Sequence, residues 1–447
     1  MNNYSKGALL ALLATPLTLK AEQPNIVLIM VDQMTADGLS CMGNRDVETP
    51  SIDKMARQGV LFETSYVTQP LSCPCRTSLQ TGMYPHENGV MKNGMELVVE
   101  PDYFASRVQS VGYNTAYYGK WHVPATIDES GYMEGLDCYD DERTTTLSVE
   151  YIKNADSTRP YFLTVSYNNP HNICELARGD ELPNGEIEPT PSDPSKLPKL
   201  PTNYAIPHDE PSKIREVQKL SAKQYPTIEW GEDQWREYLW GYYRLIEKVD
   251  REIGQVLNAI ENDAKRETIV IFVSDHGEGV ARHRWNQKQV LYDQSVKVPT
   301  IISSFESQRV AQAKRSKELV SMSLDVPMTI VDIAGASQSG LYRGESLWYV
   351  AQNHKAEIDR EYIFAETVFA AGTQDFGLEG RMVRSDRFKY IVYDNGENRE
   401  QLFDMKRDSG EQNNLVNNPR YGNELVKFRE VLAQWQRETN DSSWRVY

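Results

Sequence analysis

Asn25-Ile26-Val27-Leu28-Ile29-Met30-Val31-Asp32 is a continuous apolar run closed by a carboxylate. A run without polar alternation is a strand buried on both faces, the mark of a parallel sheet covered by helices. Thr268-Ile-Val-Ile-Phe-Val-Ser274, followed by Asp275, repeats the pattern. Tyr161 to Tyr167 is a third such run, shortly before His171, and Asn114 to Tyr118 reads as a short strand. Between them lie candidate helices at 50–59, 102–111, 143–155, 210–222 and 232–262. In the last, Trp235, Leu239, Tyr242, Ile246, Val249, Ile253, Val256 and Ile260 recur at three and four residues. That is one apolar helix face, read here as core. Strands alternating with helices predict an α/β fold with a large, mostly parallel sheet flanked by helices. In such sheets ligands bind beyond the carboxyl ends of the strands. Asp32 and Asp275 stand at two of those ends.

The chain of 447 residues, 40% hydrophobic and 25% charged, has the composition of a globular protein with a sizeable core. Its 48 basic and 64 acidic residues give a net charge of −16, which argues against nucleic acid as a partner. An anionic substrate would need local cations and a metal to draw it in. At the N-terminus, Lys6 precedes the apolar stretch Gly7 to Leu17, and the small residue Ala21 precedes a polar segment. This reads as a secretory signal peptide over 1–21, too short to span a membrane. The expected mature protein is soluble, without membrane insertion, and periplasmic or secreted. The five cysteines, Cys41, Cys73, Cys75, Cys138 and Cys174, leave at least one thiol free. Cys73-Pro74-Cys75 is too tight for an ordinary disulfide. The plain reading of all five is as small buried apolar residues. Residues 180–230, rich in Pro, Asp, Glu and Ser, read as a long surface excursion that walls a pocket. The pattern changes after about 345, which divides the chain into a main domain over 22–345 and a C-terminal subdomain over 346–447.

Ser72-Cys-Pro-Cys-Arg-Thr-Ser-Leu-Gln-Thr-Gly82 carries the chemistry. Taken alone it is a turn followed by a short helix. Its frame, Ser72-x-Pro74-x-Arg76, four residues, then Thr81-Gly82, resembles the signature of the sulfatase family within the alkaline phosphatase superfamily. There the first residue, Cys or Ser, is oxidised to formylglycine. Pro74 and Arg76 set the register, so Ser72 takes the modified position and Cys73 does not. The resemblance implies an alkaline-phosphatase-like α/β domain and a small C-terminal antiparallel sheet with a final helix. Tyr362–Thr367 and Arg387–Tyr393 read as its strands, Leu402–Leu415 as the loop that opens it, and about 420–438 as its helix.

The same resemblance assigns the remaining site residues. One divalent cation sits beside the formylglycine, with Asp32 and Gln33 as its early ligand pair, Asp275 and His276 as its late pair, and Ser72 completing the set. Many members have Asp-Asp and Asp-Asn at these places. Asp-Gln with Asp-His resembles choline-sulfatase-like and phosphonate-hydrolase-like relatives. Oxygen donors favour calcium, and an imidazole brings manganese or zinc within reach. Gly119-Lys120-Trp121-His122 resembles a motif in which lysine contacts sulfate and histidine contacts the formylglycine hydroxyl. His171, in Asn169-Pro170-His171, corresponds to a histidine that protonates the leaving alcohol, although Ile173 stands where proline often follows. Lys288 corresponds to a lysine that reaches the sulfate, placed before a helix and a strand ending in Val298-Pro299. Arg76, the fifth residue of the signature, corresponds to an arginine that hydrogen-bonds the formylglycine, and it keeps its charge. Arg282 and His283 stand near the substrate side or on solvated surface.

The expected activity is hydrolysis of sulfate esters on a glycan: glycosaminoglycan, mucin or algal polysaccharide. A phosphonate or phosphodiester hydrolase would use the same metal and lysines, and an unoxidised Ser72 would leave a protein that only binds sulfated glycans. A serine in the motif also implies a radical S-adenosylmethionine maturase acting before export in an anaerobic bacterium.

Overall fold

A computed structural model describes residues 23–444 apart from 222, 264 and 306–308. The expected signal peptide therefore lies outside the described residues. Eight strands form the large sheet: β1 Asn25–Asp32, β2 Gly59–Tyr66, β3 Asn114–Gly119, β4 Glu134–Asp137, β5 Tyr161–Pro170, β6 Thr268–Ser274, β7 Thr300–Phe305 and β8 Lys314–Ser321. Their order is β4-β3-β5-β1-β6-β7-β2-β8. Every pairing is parallel except the two made by β7, which runs antiparallel to β6 and to β2. The parallel α/β sheet expected from the apolar runs is therefore present, with β1 near its centre.

The helices lie within a few residues of where periodicity put them: Pro50–Arg57, Phe104–Ser110, Asp141–Asn154, Ser212–Leu220 and Glu232–Asn262. Alternate side chains of β1 feed two different cores. Ile26, Leu28 and Met30 join the layer that contains Cys75, Leu79 and Tyr117. Val27, Ile29 and Val31 join the layer built on the long helix 232–262, including all eight residues of its apolar face. All five cysteines are free thiols, with Cys73, Cys75 and Cys174 buried. Val298-Pro299 comes before β7 and does not close a strand. Pro299 has no N–H for a ladder and suits the approach to a strand. Among the described residues, no helix is long and apolar enough to cross a membrane.

A second, antiparallel sheet of four strands follows: β9 Ile363–Ala371, β10 Gln374–Arg384, β11 Phe388–Tyr393 and β12 Glu400–Asp404, in the order β12-β11-β10-β9. The helix Gly422–Glu438 packs Leu425, Phe428, Leu432 and Trp435 against it. The larger core continues across the division expected near 346, because Ile363, Ala365, Phe369 and Met382 belong to the same apolar cluster as β1.

A polar strut also joins the two sheets. His86 Nδ1 faces Glu366 Oε2 at 2.9 Å and its Nε2 faces the Thr439 carbonyl at 3.2 Å. Both partners are acceptors, so both ring nitrogens donate and the imidazole is cationic. Burial alone would weaken its hold on the proton, but the Glu366 charge and hydrogen bond outweigh that and raise its pKa above 6.5. The folded state then binds the extra proton more tightly. The stabilisation is complete below the unfolded value of 6.5 and is lost as pH rises through the higher folded value. In denaturant titrations, the stability difference between wild type and His86→Gln should be largest near pH 6. It should shrink towards pH 9 by at most about 1.4 kcal/mol per pH unit. A difference that stays constant over that range would refute a charged strut.

Candidate active site

Ser72 opens the helix Ser72–Thr81, all of whose residues are buried. The first N–H groups of a helix have no intrahelical partners, so the serine sits where the helix favours negative charge. Its Oγ lies 2.9 Å from His276 Nε2. His276 lies just beyond β6, and Asp32 closes β1, the neighbouring strand. Chain positions more than two hundred residues apart thus meet because β1 and β6 pair in register and end together.

Arg76, one turn along the same helix, fastens the two strand ends. Its Nε donates to Asp275 Oδ2 at 2.7 Å and its Nη2 to Asp32 Oδ2 at 3.2 Å. Its Nη1 donates to the Lys120 carbonyl at 2.7 Å and to Ser166 Oγ at 2.9 Å. Lys120 Nζ reaches Asp32 Oδ2 at 2.6 Å. Gly119 before it has φ 109°, and a Cβ there would come within 1.9 Å of the Ser166 carbonyl, so only glycine lets the motif turn into the site. Lys288 Nζ donates to Gln33 Oε1 at 2.7 Å. The Gln33 backbone N–H donates to Asp275 Oδ1 at 3.1 Å. Gln33 (φ 71°) and His122 (φ 52°) are non-glycine residues in the left-handed region. Such strain costs of order 1–3 kcal/mol each and concentrates at functional sites.

Burial would raise the Asp32 carboxyl, but Lys120, His171, Arg76 and Lys288 hold it well below the usual carboxylate range. Asp275 is pushed up to about 6 by burial and by the neighbouring Asp32 charge. Burial, followed by the Lys120 charge, lowers both catalytic-candidate imidazoles: His122 to about 3, and His171 well below its ordinary value. Both are therefore neutral at physiological pH. His122 Nδ1 has no hydrogen-bond partner among the described residues.

The cluster fits a cation. His276 Nδ1 lies 2.9 Å from the Gly277 carbonyl, an acceptor, so the proton is on Nδ1. Its bare Nε2 then faces Asp32 Oδ1 at 3.6 Å and Asp275 Oδ1 at 3.7 Å. Three lone-pair atoms converge, and Asp32 Oδ1 has no hydrogen-bond partner among the described residues. A divalent ion answers all three. Asp32, Asp275 and His276 offer ligand atoms within 4.8 Å of one another. His86, Glu366 and Asp441 also converge, but Arg381 Nε already lies 3.5 Å from Glu366 and 2.7 Å from Asp441.

Hydrogen bonds and ion pairs thus bring Asp32, Gln33, Ser72, Arg76, Lys120, Asp275, His276 and Lys288 together. His122 and His171 lie near enough to this group for the charges of Lys120, Lys288 and Asp32 to act on their pKa values. The His171 backbone N–H bonds the Asn168 carbonyl at 3.0 Å. Arg282 and His283 are each held by a protein partner. Arg282 pairs with Asp37, and His283 is buried with Nε2 on the Gly410 carbonyl at 3.0 Å. Sequence reasoning missed Ser166, Asn168 and Glu278. Asn168 Oδ1 lies 3.4 Å from Lys120 Nζ, and Glu278 bonds Gln33. Their only signal was proximity: Ser166 lies in the run Tyr161 to Tyr167, Asn168 comes just before Asn169-Pro170-His171, and Glu278 follows Asp275-His276 by two residues.

A buried serine beside two carboxylates, under one arginine and two lysines, is the equipment for hydrolysing an anionic ester. Comparison with known proteins gives the family. The family model described as Sulfatase matches residues 24–336, and that described as N-sulphoglucosamine sulphohydrolase, C-terminal, matches 281–438. The chain belongs to the sulfatase family and is a sulfuric ester hydrolase. It is 29% identical to a Delta 4,5-hexuronate-2-O-sulfatase of Bacteroides thetaiotaomicron, over 94% of this chain and 90% of that one. It is 30% identical to an ulvan-active sulfatase of Formosa agariphila, over 92% and 81%. A solved 2-O GAG sulfatase superposes with TM-score 0.81 at 27% identity, covering 94% of this chain and 93% of the other.

Arg76 is the guanidinium that bridges Asp32 and Asp275, and both carboxylates are fully buried. Removing one partner of a buried ion pair costs about 3–5 kcal/mol. Arg76→Ala should lose about that much stability in urea denaturation without added metal, and Arg76→Lys less. A loss under about 1 kcal/mol for Arg76→Ala, well below that range, would show that the carboxylates do not depend on it.

Proposed function

We propose that this sulfatase is exported and removes sulfate from a glycan through a formylglycine made from Ser72. The observation that carries the reading is the focus of Ser72 Oγ on His276 Nε2 at 2.9 Å, with Arg76, Lys120 and Lys288 around it. Two relatives support the substrate class by name: one acts on a hexuronate 2-O-sulfate and the other on ulvan.

The aldehyde solves a problem that a plain serine leaves. A serine that attacked sulfur would end as a stable sulfated serine. In the hydrated aldehyde, one hydroxyl oxygen bonds to sulfur while the bond from sulfur to the sugar oxygen breaks. The sugar alcohol leaves with a proton, assigned to His171. Burial and then the Lys120 charge keep this imidazole neutral in the free protein, and the ester's negative charge favours its protonated form. The second hydroxyl then gives its proton to the neutral His122 imidazole, the carbon–oxygen bond to sulfate breaks, the aldehyde re-forms with release of inorganic sulfate, and water adds to it to restore the hydrate. Lys120 and Lys288 hold the sulfate oxygens, and His122 contacts the hydrate. Asp32, Gln33, Asp275, His276 and the residue at 72 would hold a divalent cation, calcium first, with manganese or zinc as softer alternatives. When bound, it would polarise the sulfate and favour the ionised hydrate. A serine in this motif calls for a radical S-adenosylmethionine maturase before export.

Mass spectrometry of the peptide spanning Ser72, from the native host, should show the loss of two hydrogens. An intact serine there would overturn the formylglycine mechanism. Ser72→Ala should abolish turnover while leaving the thermal midpoint within a few degrees. Matured enzyme should prefer defined sulfated mono- and disaccharides to an aryl phosphonate, and the opposite ranking would move the activity to phosphonate esters. Chelation should remove activity and lower the thermal midpoint, and calcium should restore both.

A further inference from the structure

Gln33 differs from a carboxylate at the same place in one respect: its two ends are chemically opposite. One end accepts hydrogen bonds and the other donates them. Something must decide which end faces the site. Here Gln33 Oε1 accepts from Lys288 Nζ at 2.7 Å, and Nε2 donates to Glu278 Oε2 at 2.5 Å. Glu278 is fully buried. Its other oxygen, Oε1, accepts from Tyr238 Oη at 2.6 Å and from the Gln287 backbone N–H at 2.6 Å. Every group that touches Glu278 in this way is a donor, so the side chain acts as an acceptor on both edges.

We propose that Glu278 is a positioning residue that fixes the Gln33 carboxamide with its oxygen towards Lys288 and the carboxylate–imidazole cluster. The inference rests on the cation proposed above for that cluster. The reverse orientation would set the Gln33 oxygen against the Glu278 carboxylate and its NH2 against the Lys288 ammonium. That puts acceptor on acceptor and donor on donor in a dry site, where unpaired polar groups are most costly. Tyr238 comes from the long helix Glu232–Asn262, and the Gln287 N–H is backbone, so Glu278 itself is held from two sides.

Glu278→Gln tests this because it keeps size and shape. The Gln287 backbone N–H cannot change from donor to acceptor, so the new amide must turn its oxygen to Gln287 and its NH2 to Gln33. Gln33 then meets a donor at each end, so no orientation satisfies it: it sets NH2 against NH2 or flips and presents NH2 to Lys288. In the double variant Gln33→Glu with Glu278→Gln, the total charge is unchanged and an oxygen again faces Lys288. Outer-shell changes of this kind typically weaken metal binding 10- to 100-fold. By calorimetry with calcium chloride on matured protein, Glu278→Gln should bind about 10- to 100-fold more weakly than wild type, and the double variant should recover most of that loss. Wild-type affinity in Glu278→Gln, or a double variant as weak as the single one, would overturn the proposal. Wild-type protein that binds no calcium would instead sink the cation reading. The orientation is then read separately by NMR of cation-free protein carrying 15N-labelled glutamine. Contacts of the Gln33 NH2 protons should lie with the residue 278 side chain alone in wild type, where Nε2 is 2.5 Å from Glu278 Oε2, and should spread to the Lys288 side chain in Glu278→Gln. An unchanged pattern would show that Glu278 does not set the orientation and would overturn the proposal.

Discussion

Two carboxylates cannot be buried side by side without a cation to hold them, and that constraint organises this protein. Asp32 and Asp275 are both fully buried at the ends of adjacent parallel strands. Arg76 bonds both of them and also reaches the Lys120 carbonyl and Ser166. One side chain therefore joins the ends of β1 and β6, the turn after β3, and β5. The helix that carries it also carries Ser72 at its start. Placing Arg76 against the strand ends thereby delivers Ser72 to the same point, four residues earlier and about one turn away. The order of the strands, the buried helix and the position of the serine all serve a single electrostatic need.

The central strands were legible because they are covered on both faces. Residues 26–31 and 268–274 show no polar alternation, and in the sheet each contributes side chains to both apolar layers. The long helix was legible from its own period. The other half of the large sheet was not. β2 reads Gly-Val-Leu-Phe-Glu-Thr-Ser-Tyr, and β8 reads Lys-Arg-Ser-Lys-Glu-Leu-Val-Ser. β8 is an edge strand, where charged side chains guard an open ladder and erase the apolar signal. Nothing local announces that β7 runs against its neighbours, because strand direction is set by how the chain returns across the sheet. The same reason hid the continuity of the core into the C-terminal sheet. Composition changes near 346, yet Ile363 and Met382 pack in the same cluster as β1.

At the site, candidate residues grouped in a fixed local frame could be read: Ser72 with Arg76, Lys120 with His122, and Asp275 with His276. Residues defined by direction could not. Ser166 and Asn168 matter because β5 ends beside β3, and Glu278 matters because its carboxylate points back under Gln33. Arg282 and His283 show the converse. A basic pair near a motif resembles a substrate contact or loose surface, and only the fold shows that each has a protein partner, Asp37 for Arg282 and the Gly410 carbonyl for His283.

The amide and the imidazole in this site also bear on its charge. The protein carries a net charge of −16, so its overall field repels an anionic ester. Within the pocket the balance is different. Arg76, Lys120 and Lys288 are set against the carboxylates of Asp32 and Asp275, with Gln33 and His276 contributing no negative charge of their own. Glu278 is set back behind Gln33, on the far side of its amide from Lys288. Had Gln33 and His276 been carboxylates, the acidic side chains at the focus would outnumber the cations. As it stands, the three cations match the three carboxylates and leave the pocket without net negative charge. At physiological ionic strength the Debye length is about 8 Å, so exposed acidic groups farther away are screened, whereas charges inside a dry pocket are not. An amide and an imidazole in place of carboxylates let an acidic protein keep a pocket free of net negative charge.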